Sequence, residues 1–247
     1  EMGINARGLL VGSAARNTWL KGDKDLDIFI LLPENLDISE FEEKGIKIAR
    51  NVADEFEERY AEHPYIEAFF GDYEVDLVPC FAVANPSRIK SAVDRTPFHN
   101  EFVLEHIKGR EDEVLLLKQF MKGISTYGAE LKTCGFSGYL CELLIIKYGS
   151  FLATLKAAKD WKHGVKISLD SSSAQKFDDP LIVIDPVDSG RNVAAAVSTE
   201  KFYKFISGAR EYLEKPAIDF FFPESEKPLS KEEFLSLIHI SEPTRPY

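Results

Sequence analysis

The sequence predicts an α+β protein in which a mixed sheet is followed by a largely helical region. Up to about residue 81, short apolar runs are separated by turn residues, a pattern that is typical of strands. Past Pro86, apolar residues recur at helical spacing instead. We therefore expect a first domain at residues 1–100, a second, largely helical domain at 101–222, and the start of a third at 223–247.

Four strands and one helix are predicted in the first domain. The strands span residues 7–11, 25–32, 65–70 and 73–81, and Gly71-Asp72 joins the last two as a hairpin. Ser39 and Glu42 form a capping-box pattern, which predicts that a helix begins there. Apolar residues at helical spacing predict that this helix continues; they are Phe41, Ile48, Val52, Phe56 and Tyr60.

Helices predominate in the second domain. They are predicted at residues 111–122, 137–161 and 199–214, with short strands at 166–169 and 181–184 around a polar loop. A further capping box, Ser230 with Glu233, begins a helix that is soon interrupted. We expect that the chain is truncated at both ends and that its last residues, HISEPTRPY, are a non-native tail.

The composition indicates a globular protein from a reducing compartment. The formal net charge of −11 argues against nucleic-acid binding through bulk electrostatics, although an RNA partner stays open. The three cysteines form no C-x-x-C pattern, and with the five histidines they show no zinc spacing. Neither a run of ~18 apolar residues nor a signal peptide is visible, so we expect a cytoplasmic protein without a membrane partner.

Two aspartates stand at the start of the second predicted strand. Residues two apart on a strand face the same side, so the carboxylates of Asp25 and Asp27 are expected to converge. Such close carboxylates repel one another unless a cation neutralises them, and Mg²⁺ prefers oxygen ligands. Taken alone, however, a pattern as short as Asp-x-Asp favours a solvated loop with a turn cap.

Two further features favour a site for metal and phosphate. Asp76 lies in another apolar strand, on the face opposite Val75 and Leu77, and would complete a three-carboxylate set able to hold two metal ions. Gly12-Ser13 follows the first strand and precedes a short segment that can turn helical. There, backbone N–H groups and a hydroxyl can approach a phosphate. Taken alone, Gly12-Ser13 is also compatible with an ordinary helix N-terminus that binds no phosphate.

The combination of Gly12-Ser13, Asp25-x-Asp27 and Asp76 resembles the polymerase-β-type nucleotidyltransferase superfamily. Longer segments are similar to the archaeal (class I) CCA-adding enzymes, which are tRNA nucleotidyltransferases; they are GSAARNTWLKG, RYAEHPY, VDLVPC, SAVDRTPFH, YGAE, GFSGYLCELLI and DPVDSGRNVAA. The resemblance covers residues 6–235, approximately. It implies a mixed-sheet catalytic head, a largely helical neck, and an N-terminal helix and a C-terminal half that this sequence lacks.

The resemblance also implies roles for individual residues. Asp25, Asp27 and Asp76 would hold two Mg²⁺ ions, and Asp76 would help to deprotonate the attacking ribose hydroxyl. Asp25 stands where the family often has Glu. The implied nucleotide contacts, of which the last helps to select the base, are Gly12, Ser13, Arg16, His99, Lys118, Tyr127 and Arg191. Without the resemblance, the last four would be interpreted as ordinary surface or turn residues.

The implied activity is template-independent addition of CCA to the 3′ end of tRNA, from CTP and ATP, with release of pyrophosphate. The expected partners are a tRNA that lacks its 3′ CCA end and the two nucleotides, and a homodimer stays open. Two alternatives remain. One is another polymerase-β-type nucleotidyltransferase, such as a poly(A) polymerase or an oligoadenylate-synthetase type. The other is a catalytically silent fragment that binds nucleotide or RNA.

Overall fold

A five-stranded mixed sheet forms the N-terminal part of the chain. The computed structural model describes residues 5–22, 25–169 and 175–223. The sheet has the strand order β1-β2-β5-β4-β3, and its strands are β1 (Arg7–Val11), β2 (Asp25–Pro33), β3 (Phe56–Tyr60), β4 (Pro64–Phe70) and β5 (Tyr73–Ala82). β2 and β5 run parallel, whereas the other neighbours are antiparallel. The predicted mixed sheet and its β4–β5 hairpin are thus confirmed.

Helices dominate the described chain after the sheet. The α-helices are α1 (Gly12–Ala15), α2 (Ile38–Arg50), α3 (Thr96–His106), α4 (Glu111–Gly123), α5 (Gly138–Tyr148), α6 (Phe151–Ala158) and α7 (Thr199–Glu214). A small parallel pair, β6 (Val165–Ile167) and β7 (Leu181–Val183), lies between α6 and α7. The α+β fold class is therefore confirmed, while the helix predicted after Ser230 lies outside the described residues.

The predicted helix that reached Tyr60 is too long and has a different N-cap. α2 begins after Asp37, whose carboxylate accepts a hydrogen bond from the Glu40 N–H at 2.8 Å, and it ends at Arg50. Phe56 and Tyr60 lie instead on β3, which pairs with β4 from Phe56 opposite Ala68 onward. The spacing of these two residues is compatible with a helix or a strand. Residues 56–60 form a strand because β4 satisfies the hydrogen bonds of their backbone N–H and C=O groups.

The predicted helix 137–161 is two helices. Gly149 adopts the left-handed conformation, with φ of 88°, and ends α5. Ser150 then caps α6, since its hydroxyl accepts a hydrogen bond from the Ala153 N–H. No single helix of residues 5–22, 25–169 and 175–223 combines the length and apolar composition of a membrane span. α5 and α6 meet that test only as a pair, across a bend of 92°.

The buried apolar residues form separate clusters. α2 covers one face of the sheet, where Phe41 stacks on Phe81 with ring centroids 3.9 Å apart. A larger cluster centred on Phe120 fills the space among α4 to α7. Between these apolar clusters lie polar contacts that join the sheet to the helices, and an open cleft where β2 and β5 begin. This cleft contains the predicted carboxylates.

Candidate active site

Three predicted carboxylates lie on two neighbouring strands. Asp27 on β2 is directly opposite Asp76 on β5, and Asp25 is opposite Glu74 in the same parallel register. Val75 and Leu77 point into the core, so Glu74 and Asp76 point to the other face, as predicted. The side chains therefore share one face because the strands are parallel and in register.

The pKa shifts show that these carboxylates interact. Burial raises the pKa of Asp27 above its usual value, the charge of Arg16 lowers it, and the charge of Asp25 raises it. Burial, followed by the charges of Asp27, Glu67, Asp25 and Glu74, raises the pKa of Asp76 to about 6. The cluster thus holds negative charge that a cation would neutralise.

The carboxylates line a cavity of about 740 Å³ that also has donor side chains in its lining. Ser13 is part of this lining. Outside the sheet, the lining includes Lys122 at the end of α4, and Tyr127, Glu130 and Lys132 in the segment before α5. Because carboxylates, lysines and a tyrosine line one cavity, it can accommodate a cation together with an anionic ligand. Lys122 and Lys132 were not predicted, because only the fold brings them to the carboxylates.

Glu67 is a further carboxylate that the sequence analysis did not include. It lies on β4 opposite Asp76 and lines the same cavity. Its neighbours Ile66 and Ala68 are buried, so strand alternation would have placed Glu67 on the face of Asp76. Arg59 on β3 donates two hydrogen bonds to Glu67, at 3.1 and 2.9 Å, and offsets its charge.

Gly12 fits closely against Asp27. Its φ is +72°, in the left-handed region that favours glycine, and a Cβ atom at this position would collide with the Asp27 carboxylate. Ser13 follows as the second residue of α1 and lies in the cavity lining. The turn from β1 therefore brings backbone and hydroxyl groups to the carboxylates, whereas their contact with a phosphate stays a prediction.

Arg16 lies outside the cavity lining. Its side chain is buried, with Nε donating to Glu142 Oε1 at 2.9 Å and Nη1 donating to Asn100 Oδ1 at 3.2 Å. The Thr18 hydroxyl also donates to Glu142 Oε1. These hydrogen bonds give Arg16 partners on α3 and α5, and its contact with a nucleotide stays a prediction.

Lys118 is also buried and lies close to Tyr127. Its ammonium donates to the Thr18 carbonyl at 2.7 Å. A Cβ atom at Gly138 would stand 3.2 Å from both Lys118 Nζ and Tyr127 Oη, so both polar groups converge on Gly138. The structure thus brings Lys118 close to Tyr127, which lines the cavity, whereas Lys118 itself is buried outside the lining. The contact of either residue with a triphosphate stays a prediction.

His99 and Arg191 meet at Asp185, which was not among the predicted residues. His99 Nε2 donates to Asp185 Oδ2 at 2.9 Å, and Arg191 Nη1 donates to the same oxygen at 2.8 Å. Arg191 lines a second cavity, of about 590 Å³, together with Ala129 of the segment that follows Tyr127. Only folding could show this relationship, since His99 and Asp185 lie 86 residues apart.

The donor chemistry of the site fits a hard divalent cation. Asp25, Asp27 and Asp76 supply carboxylate oxygens. Burial first, and neighbouring negative charge second, raise the pKa values of Asp27 and Asp76. Within the described ranges, no three His, Cys, Asp or Glu side chains already stand in the arrangement of a metal site. The residues therefore suit Mg²⁺ by type and position, while their coordination geometry is not preformed.

Two family models match consecutive stretches of the chain. The model described as a nucleotidyltransferase domain matches residues 2–99, and the model described as tRNA nucleotidyltransferase, second domain, matches residues 112–222. The first match contains the three aspartates, and the second contains Lys118, Tyr127 and Arg191.

The curated relatives are archaeal proteins. The CCA-adding enzyme of Methanosarcina acetivorans is 56% identical over 229 residues, covering 92% of this chain and 50% of the relative. The CCA-adding enzyme of Archaeoglobus fulgidus is 45% identical over 238 residues, covering 96% and 54%. The chain thus spans about half the length of the curated relatives it matches.

Solved structures share the fold at low sequence identity. The Cid1 poly(U) polymerase bound to Mg 3′-dATP has a TM-score of 0.65 at 12% identity, over 88% of this chain and 83% of the other. CdnC of E. coli MS115-1 with ATP has a TM-score of 0.60 at 18% identity, over 88% and 78%. These similarities concern the fold alone.

The family follows from the two matched models and the archaeal relatives together. The models occur in order and jointly take in most of the chain. The relatives share about half of its residues over more than nine-tenths of its length. The chain belongs to the archaeal CCA-adding enzyme family of tRNA nucleotidyltransferases.

Proposed function

We propose that this protein transfers nucleotides from CTP and ATP to the 3′ end of a tRNA that lacks CCA, without a nucleic-acid template and with release of pyrophosphate. The observation that carries the proposal is the placement of Asp27 opposite Asp76, with Asp25 on the same face, at an open cavity. The archaeal relatives, named CCA-adding enzymes, support the choice of reaction and substrate.

Asp25, Asp27 and Asp76 would hold two Mg²⁺ ions. When bound, these ions supply charge neutralisation for the reacting phosphate and its leaving group. The carboxylates supply the negative charge that attracts them, and β2 and β5 keep the three side chains on one face. This is the role that hard oxygen ligands have in many phosphoryl- and nucleotidyl-transfer sites.

Asp76 would help to deprotonate the attacking ribose hydroxyl, directly or through a bound metal ion. Its pKa is about 6 in the metal-free chain, and a bound cation would favour the ionised carboxylate. Removal of that proton raises electron density on the oxygen that forms the new bond to the α-phosphate. The leaving pyrophosphate carries away the negative charge that develops.

The other predicted contacts would bind the nucleotide. Gly12 and Ser13 would approach the triphosphate from the carboxylate side, and Tyr127 from another part of the cavity lining. Lys118 would reach it from its buried position close to Tyr127. His99 would add a donor near the phosphates or sugar, and Arg191 would present guanidinium donors to the base. Arg16 would contribute indirectly, through its hydrogen-bonded ion pair with Glu142.

The domain arrangement belongs to the same proposal. Residues 1–100 would be the catalytic head and 101–222 the neck that closes over the nucleotide, whereas the predicted start of a third domain at 223–247 lies, apart from its first residue, outside the described residues. Much of the grip on tRNA would lie in the half of the relatives that this chain does not span. This would explain why the chain has a formal net charge of −11 although the proposed substrate is an RNA.

A transfer assay tests the proposal directly. The chain is incubated with tRNA lacking CCA, Mg²⁺, and each labelled nucleotide alone and in combination, and the products are separated at single-nucleotide resolution. The proposal predicts two C additions followed by one A. Long A tails would indicate a poly(A)-type polymerase instead, and binding without incorporation would indicate a silent fragment.

A further inference from the structure

Asp185 is a fully buried carboxylate that connects two separate segments of the chain. It lies two residues after β7, and its Oδ2 accepts hydrogen bonds from His99 on α3 and from Arg191 in the following loop, at 2.9 and 2.8 Å. The same loop turns back through the pairing of Ile184 with Asn192. One oxygen atom therefore fixes both a histidine and an arginine.

The other oxygen of Asp185 is also engaged. Oδ1 accepts a hydrogen bond from the Val187 N–H at 2.9 Å, and the Tyr139 hydroxyl lies 3.5 Å away. The Tyr139 ring stacks on His99 with centroids 4.3 Å apart. Burial alone would raise the pKa of Asp185, but the hydrogen bonds and charges of His99 and Arg191, with the Val187 N–H, hold it below its usual range. The group is thus a fixed anion at neutral pH.

Arg191 reaches from this anchor into open space. Its side chain is 42% exposed and lines the cavity of about 590 Å³, whereas Asp185 is 0% exposed. A guanidinium has five N–H donors in one plane, so fixing Nη1 orients the remaining donors. An arginine without such an anchor would sample many rotamers and lose more entropy when it binds a ligand.

We propose that Asp185 is a positioning residue that orients the guanidinium of Arg191 toward the base of a bound nucleoside triphosphate. His99 and Tyr139 hold Asp185 in place from α3 and α5. The inference rests on the proposed function for the identity of the ligand, and it adds a residue that does not itself contact the nucleotide.

Nucleotide binding tests this inference without a transfer reaction. The affinity of the chain for CTP with Mg²⁺ is measured by calorimetry for four proteins: wild type, Asp185→Asn, Arg191→Ala and the double variant. Each single variant is expected to weaken binding by about tenfold, the loss typical of one charged hydrogen bond. The double variant is expected to bind within about twofold of Arg191→Ala, since Asp185 acts through Arg191.

A conservative acid-to-amide change elsewhere provides the control. Glu113 on α4 accepts a hydrogen bond from the Phe151 N–H at 2.7 Å and lines neither cavity. Glu113→Gln is expected to leave CTP affinity within about twofold of wild type. Unchanged affinity in Asp185→Asn, losses that multiply in the double variant, or no CTP binding by wild type would each overturn the inference.

A second measurement needs no change at Asp185, which protects the test if Asp185→Asn does not fold. In the nucleotide-free wild-type chain, ¹⁵N NMR is expected to resolve separate Nη1 and Nη2 signals for Arg191, assigned by their loss in Arg191→Lys. Slow rotation of the guanidinium follows from its bond to Asp185. A single averaged signal would contradict the inference. Because CTP binding and NMR do not require incorporation, failure of the transfer assay would be distinguishable from failure of this proposal.

Discussion

Asp27 and Asp76 occupy directly opposed positions on the parallel strands β2 and β5, and the pKa of each carboxyl is raised above its usual value. Folding therefore brings together two groups that repel one another when both are ionised. A cation bound between them would offset this repulsion.

Asp76 is expected to destabilise the metal-free chain as pH rises. The pKa of Asp76 is about 6 in the folded chain, compared with 3.8 for an aspartate in the unfolded chain. The folded chain therefore binds the proton more tightly. The stabilisation is fully present below pH 4 and is lost as pH rises through 6. At pH 8, with EDTA present, Asp76→Asn should increase the free energy of unfolding by about 1 kcal/mol, after allowance for solvent screening.

Urea unfolding at pH 4, 6 and 8 measures this effect. Asp54→Asn, on the exposed bend between α2 and β3, is the matched control and should keep the loss of stability between pH 4 and 8 that wild type shows. An Asp76→Asn variant that loses stability between pH 4 and 8 as steeply as wild type would contradict the assigned interaction.

A bound divalent cation should offset the repulsion between the carboxylates of Asp27 and Asp76. A ligand that binds only the folded chain stabilises it according to its concentration over Kd. Mg²⁺ should therefore raise the melting temperature of wild type by a few degrees, and Asp27→Asn should remove most of that increase. Differential scanning fluorimetry with and without Mg²⁺ measures both. An equal Mg²⁺ shift in wild type and Asp27→Asn would place the cation elsewhere.

Gly12→Ala should have two effects: strain in the backbone at residue 12 and displacement of the Asp27 carboxylate. A Cβ atom at Gly12 would collide with the Asp27 carboxylate, whereas one at Gly71 meets nothing within 4 Å. Both glycines have positive φ, +72° and +62°, so both alanine variants carry a backbone cost of about 1 kcal/mol. Gly12→Ala should be the less stable of the two, and it alone should lose Mg²⁺ stabilisation. Equal unfolding free energies and equal Mg²⁺ responses would refute the close contact.

Glu142 is expected to be the costliest single truncation among the contacts that join the sheet to the helices. It is fully buried, and its Oε1 accepts from Arg16 Nε at 2.9 Å and from the Thr18 hydroxyl. Glu142→Ala leaves the Arg16 charge buried without its carboxylate, which typically costs about 3–5 kcal/mol. Glu40→Ala is the control, because the Glu40–Lys44 pair is exposed and should contribute less than about 1 kcal/mol. Similar unfolding midpoints for the two variants would show that the buried pair is not important for stability.

Local patterns were sufficient to predict most elements of the fold. β1, β2 and the hairpin of β4 and β5 follow from short apolar runs and from Gly71-Asp72, and α7 follows from apolar residues at helical spacing. The prediction of a helix as far as Tyr60 is wrong because residues 52, 56 and 60 fit helical spacing by coincidence. Only their pairing with β4 shows that residues 56–60 form a strand. The break at Gly149 could have been anticipated, since Gly-Ser can end one helix and cap the next.

The site was predictable where its residues are close in sequence or share a strand face. Asp25 and Asp27 are two apart, and Asp76 follows from the alternation of Val75 and Leu77. Glu142 and Asp185 were missed because their significance depends on partners 126 and 86 residues away. Neither residue belongs to a local pattern that marks it as a hydrogen-bond centre.

Incorporation by Asp76→Asn tests the central claim most directly. Transfer of labelled CMP from CTP to tRNA lacking CCA is measured at pH 8 with Mg²⁺ for wild type, Asp76→Asn and the Asp54→Asn control. The amide cannot accept the proton of the ribose hydroxyl and is a poorer cation ligand, so the rate should fall by at least about 100-fold. Asp54→Asn should retain the wild-type rate. An Asp76→Asn variant that keeps half of the wild-type rate would contradict the proposed role of the three carboxylates.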